Sequence, residues 1–167
     1  MGMAVVYATR TGNTKKIADA IAAVVGATAQ NLKDKPDVTA DTVAVGYWVD
    51  KGQPNEESAA FLRSLEGKRV FLFGTLGASP ESPYAEDCKR AARALVEERN
   101  TVIGEFLCQG AIDPALIEMF KKFPEGHPHA PTAESRARWA AAATHPDAAD
   151  VAAAEAAVRA ALEMKEG

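Results

Sequence analysis

The residues best suited to chemistry stand close to the start of the chain, in the run Thr9-Arg10-Thr11-Gly12-Asn13-Thr14. Directly after it, Ile17, Ala20, Ile21 and Val24 recur at helical spacing, and Gly26 is placed to stop that helix. The first turn of a helix leaves backbone N–H groups unpaired and carries partial positive charge, so it attracts an anion set in front of it. Gly12 lets the backbone come close to such an anion. Thr9, Thr11 and Thr14 add hydroxyl donors and Asn13 adds an amide. Many hydroxyls with few cations suit a terminal phosphate held by hydrogen bonds. Two other phosphate motifs are excluded. The run lacks the glycine spacing and the Gly-Lys pair of a Walker A loop, and it has one glycine where the dinucleotide fingerprint needs three. A helix capped by Thr11 or Asn13 without a ligand is the plain alternative. The position directly after an apolar strand weighs against it.

That strand is Met3 to Ala8, a short β-branched run that reads as buried. Further along, Ala27 to Leu32 reads as a second strand and Thr42 to Val45 as a third, ending at Gly46. A helix is expected from Pro54 with Ala60, Phe61 and Leu65 on its apolar face. Arg69 to Phe73 is the clearest strand of all. A loop with Pro80 and Pro83 then leads into a helix through Tyr84-Ala85-Glu86-Asp87-Cys88. Thr101 to Gly110 reads as a fifth strand, bent at Gly104. Asp113 and Pro114 form a cap and first position for a short helix. The proline- and histidine-rich stretch from Pro124 to Trp139 reads as a surface loop, and a final helix follows His145-Pro146-Asp147.

Strands that are apolar throughout and alternate with helices imply a parallel sheet covered on both faces. Five such units imply an α/β three-layer sandwich with a doubly wound five-stranded parallel sheet in the order 2-1-3-4-5, and 1–167 as a single domain. In such sheets ligands bind beyond the carboxyl ends of the strands, beside the first strand. The loops after strands one, three and four are therefore the ones to inspect. Composition agrees with a globular chain: 47% of residues are apolar and 25% charged. A net charge of −4 argues against nucleic acid as a partner. No apolar run is long enough to span a membrane, no signal peptide is visible, and two cysteines make no disulfide framework, so a cytoplasmic location is expected.

The segment Val5 to Ile21 resembles the N-terminal signature of flavodoxins. Thr9, then Thr11-Gly12-Asn13-Thr14, then Ile17, Ala18 and Ile21 fall in its pattern. By order of elements the resemblance covers the chain to about residue 110. With Gly46 to Gly52, Phe73 to Ala78 and Phe106 to Asp113 added, it looks most like a short-chain branch common in anaerobes. The resemblance implies a flavodoxin-like fold and FMN as cofactor, with its phosphate on the first loop. It further implies that Gly46 to Gly52 stacks an aromatic ring on the flavin, through Trp48 or Tyr47, with the other residue in the core. The loop from Gly74 to Tyr84 would border the ring's other side and edge. There Gly74, Thr75, Leu76, Gly77 and Ala78 would offer backbone groups, and Tyr84 would either stack or pack inward. Arg10 departs from the pattern, which usually has a neutral residue there. It could pair with the phosphate, reach toward the flavin or a substrate, or stay solvated. The loop after the fourth strand also lacks the acidic character common in the family.

Three functions stay open at this level. An FMN electron carrier would receive electrons from a reductase and pass them to a partner oxidoreductase, with no catalytic residue of its own. A stand-alone FMN-dependent NAD(P)H reductase of quinones or small aromatic substrates would need a pocket over the flavin, which Arg10 and the long segment after Gly110 could supply. A non-catalytic accessory subunit would keep the fold alone. Cys108 reads as a buried apolar residue rather than a redox thiol, and Cys88 has no Cys-x-x-Cys partner. His127, His129 and His145 lack metal-site spacing, and no metal is expected.

Overall fold

The computed structural model describes residues 2–166. Five strands run parallel: β1 (Met3–Tyr7), β2 (Gln30–Asn31), β3 (Thr42–Asp50), β5 (Arg69–Leu76) and β6 (Thr101–Gln109). Their order across the sheet is β2-β1-β3-β5-β6. The two-residue β4 (Gln53–Pro54) pairs antiparallel with the end of β3. Counting the parallel strands alone, this is the expected doubly wound order, and the fold is flavodoxin-like.

Because side chains alternate along a strand, each central strand feeds both faces. Val6 of β1, Val43, Val45 and Tyr47 of β3, and Val70 and Leu72 of β5 pack on one face. Helices α2 (Glu56–Ser64) and α3 (Pro83–Ala94) cover it with Leu62, Ala85 and Cys88. Val5 and Tyr7, Ala44, and Phe71 and Phe73 pack on the other, under Ile17 and Ile21 of α1 (Asn13–Val25) and Val158 of α6 (Ala148–Glu166). Each fully buried valine, leucine or phenylalanine here contributes about 1.5–3 kcal/mol relative to exposure. Both cysteines are buried free thiols. Burial, reinforced by Asp150 and Asp147, pushes the Cys108 thiol up to about 12, so it is no thiolate at neutral pH.

Helix α2 starts at Glu56 rather than at Pro54, and it buries Ser58, Ala59 and Leu62 while Ala60 is exposed. Three further elements differ from expectation. First, β3 does not stop at Gly46 but runs on to Asp50. Gly46 serves close packing instead: a Cβ there would collide with the Phe73 ring and sit 3.0 Å from Tyr7 Cβ. Second, residues 48–55 form a hairpin rather than a loop, with Lys51 (φ 53°) and Gly52 (φ 82°) both left-handed at its tip, as a tight two-residue turn requires. Third, α5 (Ala133–Ala142) stands inside the stretch read as a loop. A reciprocal capping box between Thr132 and Ser135 starts it, with Ser135 in place of the usual Glu or Gln. The bend expected near Gly104 is present as a register shift opposite Val70 and Phe71. The short helix α4 (Pro114–Lys121) begins as anticipated, with Asp113 accepting from the Ala115 N–H at 2.9 Å.

Candidate functional site

At the carboxyl ends of β1, β3 and β5 lies a cavity of about 500 Å³. Its first wall is the loop from β1 into α1. Gly12 is left-handed at φ 102° and caps α1 without any side-chain partner. Its own N–H donates to Thr9 Oγ1 at 2.9 Å, which braces the loop. Among the described residues, none accepts from the N–H groups of Thr11, Asn13, Thr14 or Lys15, and no carboxylate sits in the first turn of α1. A Cβ on Gly12 would meet no atom within 4 Å, so the approach is open. A phosphate group fits this donor set: backbone donors converge, the helix end favours negative charge, and nothing within the protein competes.

The side chains of the run have divided roles. Thr9 and Thr11 line the cavity. Thr14 is buried with its hydroxyl 3.0 Å from that of Thr75, which ties the start of α1 to β5. Asn13 Nδ2 donates to the Ala111 carbonyl at 2.8 Å, so that amide holds the exit of β6. Arg10 lies over the Trp48 ring, 5.7 Å from its centroid, and its Nε donates to Asp113 at 3.2 Å. Both residues are accessible, so this ion pair contributes at most about 1 kcal/mol.

The choice between the two aromatics of β3 follows from strand parity. Tyr47 shares a face with Val43 and Val45 and is buried against Gly74, where a Cβ would come 2.5 Å from its ring. Burial raises its phenol pKa well above the ordinary value. Tyr47 and Gly74 are therefore core residues and do not line the cavity. Trp48 does line it. Asn55 fixes Trp48 from behind: its Oδ1 accepts from the Trp48 N–H at 3.0 Å, and its own N–H donates to the Trp48 carbonyl at 2.9 Å. The sequence reading missed Asn55; its signal was a helix-capping residue just before Glu56-Glu57.

Thr75 and Leu76 at the end of β5, and Gly77 just after it, reach the cavity. Ala78 packs on the core instead, and Tyr84, 44% exposed, leans over the hairpin turn at Gly52. Partial burial there raises the Tyr84 pKa. The far wall comes from the long segment after Gly110, without any of its residues having been singled out in the sequence. Ile112, Leu116, Phe120, Arg138 and Trp139, all beyond β6, line the same cavity. Their base is anchored at the start of α6, where the Ala111 N–H donates to the His145 carbonyl at 2.9 Å. His145 Nδ1 lies 2.6 Å from Asp150, and that hydrogen bond raises the His145 pKa against the effect of burial. Asp147 and Asp150 cap the helix start reciprocally, and the Asp150 N–H lowers the Asp147 pKa. No helix among the described residues is long and apolar enough to cross a membrane.

Comparison with known proteins agrees with this geometry. The flavodoxin domain family model matches residues 4–159, well past the point to which the first motifs alone could carry it. The flavodoxin-like domain-containing protein BilS of Clostridioides difficile (strain CD3) is 35% identical over 129 residues, covering 71% of each chain. Its counterpart in Clostridium symbiosum (strain WAL-14163) is 28% identical and covers 92% of each. Among solved structures, oxidised flavodoxin 2 from Bacillus cereus aligns over 98% of this chain and 99% of its own, with a TM-score of 0.62 at 15% identity. Oxidised flavodoxin 1 from the same organism covers 71% and 91%, with a TM-score of 0.50 at 19% identity. These two likenesses concern the fold. The family match runs from β1 into α6 and a relative above 30% identity covers most of the chain, so this protein belongs to the flavodoxin family.

Proposed function

We propose that this chain is an electron carrier, taking electrons from a reductase and passing them to a partner oxidoreductase. FMN is the cofactor of the family to which it belongs. The observation that best supports the reading is the pairing of unclaimed N–H groups at the start of α1 with Trp48 in one cavity. In this reading the N–H groups of Thr11, Asn13, Thr14 and Lys15 and the hydroxyls of Thr9 and Thr11 hold the phosphate. Trp48 offers its ring to the isoalloxazine, and Thr75, Leu76 and Gly77 border the ring edge. Bound FMN supplies one- and two-electron chemistry at a single ring.

The protein's own residues bind, orient and exclude water. Thr9 and the Thr14–Thr75 pair keep the loop in shape before any ligand arrives, which lowers the ordering cost of binding. Asn55 holds Trp48 in place. No side chain has to donate or accept a proton for this task. A second reading, a stand-alone NAD(P)H reductase, draws support from the far wall, because a wall beyond the first loops could shape a substrate pocket.

Anaerobic mixing separates the two. With FMN-loaded protein and NADPH alone, the carrier reading predicts no bleaching of the flavin absorption band over minutes. A catalytic amount of a flavodoxin reductase should then bleach it. Rapid bleaching by NADPH alone, with turnover on a quinone, would replace the carrier reading by the reductase one.

A further inference from the structure

The wall beyond β6 makes the cavity two-sided. Neither the loop after β5 nor Tyr84, at the start of α3, sends an aromatic ring into it: Tyr84 covers the hairpin turn and lines none of the cavity. The helices α4 and α5 bring two rings to the cavity that the first loop and Trp48 also line. Phe120 and Trp139 stack with centroids 6.1 Å apart at 16°. His129 stacks on Phe120, at 5.7 Å and 15°. The chain thus orients three near-parallel rings that are half-buried or exposed: His129 stands in the connection between α4 and α5, and Phe120 and Trp139 stand on helices whose packing does not otherwise demand them, since α4 has no buried residue and α5 has only Ala142.

This lobe is joined to the phosphate loop directly. Asn13 holds the Ala111 carbonyl, and Arg10 holds Asp113, the cap of α4. The loop that would meet the ligand's phosphate therefore also holds the base of the helix that carries Phe120. Resting on the FMN reading above, we infer that the α4–α5 lobe supplies the second aromatic face of the cofactor site, with Phe120 and Trp139 serving the planar ring system opposite Trp48. The role that the sequence offered to Tyr84 passes to residues 36 and 55 positions further along the chain.

A planar ring gains dispersion and quadrupole contacts from a second aromatic wall, whereas a phosphate gains nothing from it. The lobe should therefore act on FMN and riboflavin alike. The test is equilibrium titration of wild type, Phe120→Leu, Trp139→Leu and Trp139→Phe with each ligand, together with amide hydrogen exchange with and without FMN. Each leucine variant is expected to lose about tenfold in affinity for both ligands, with the FMN-to-riboflavin ratio unchanged. Trp139→Phe should retain most of the affinity, and FMN should slow exchange across residues 133–142. Unchanged far-UV circular dichroism guards against loss of fold, and the exchange measurement on wild type stands without any variant. Tight FMN binding by wild type with unaltered affinity in the leucine variants and no protection of α5 overturns the lobe's role alone. Failure of wild type to bind either ligand overturns the FMN reading and this inference together.

Discussion

Replacing Trp48 with alanine weakens FMN binding by about 2 kcal/mol, roughly thirtyfold, and weakens riboflavin binding by the same factor. The size follows from what is removed. Trp48 is the β3 aromatic that faces the cavity, while Tyr47 is committed to the core. Its backbone is clamped on both sides by Asn55, so the ring is presented rather than searching for a position. Losing it forfeits both the apolar area it would cover and the stacking contact. The phosphate loop is untouched, which is why the two ligands suffer equally. Trp48→Phe should recover most of the loss. Isothermal titration of the three proteins with both ligands reads this directly, and equal affinities for wild type and Trp48→Ala would remove Trp48 from the site.

Gly46→Val destabilises the fold by about 3 kcal/mol or more, through overpacking at the centre of the sheet. For a chain of this length that corresponds to a drop of roughly 6–12 °C in Tm. Gly46 and Phe73 are register partners on β3 and β5, and Phe73 lies across the space that a side chain at 46 would need. The neighbouring pair repeats the device on the opposite face, where Tyr47 lies across Gly74. Neither ring can retreat, since Phe73 and Tyr47 are both fully buried. Gly2→Ala, at a position with open space around it, serves as the control and should shift Tm by less than about 2 °C. A Tm for Gly46→Val within the range of that control would refute the close-packing role of Gly46.

What the sequence could reveal about this site depended on how local each part is. The first loop is legible because strand, glycine and helix start lie within a dozen residues, and the helix end itself makes the donors. The parallel sheet is legible because its strands are apolar on both faces. Trp48 and Tyr47 could have been separated by parity with Val43 and Val45, had the strand not been ended at Gly46. That glycine looks like punctuation in the sequence, whereas its cause is a ring from the neighbouring strand. Phe120 and Trp139 were illegible for a different reason. No strand period places them, and the segment that carries them is folded back on itself by a long-range contact, the Ala111 N–H to the His145 carbonyl, that sequence does not display. The helix that carries Trp139 was hidden because its cap uses Ser135 and follows a run of prolines and histidines.

The most direct measurement is titration of the apoprotein with FMN and with riboflavin, followed by quenching of flavin fluorescence. The unclaimed N–H groups at the start of α1 predict tight FMN binding with strong quenching, and riboflavin bound at least about a hundredfold more weakly for want of the phosphate's charge-assisted hydrogen bonds. Equal affinity for the two ligands would contradict the phosphate site on the Thr9 to Thr14 loop. Binding of neither would mean that this loop caps a helix and holds no cofactor.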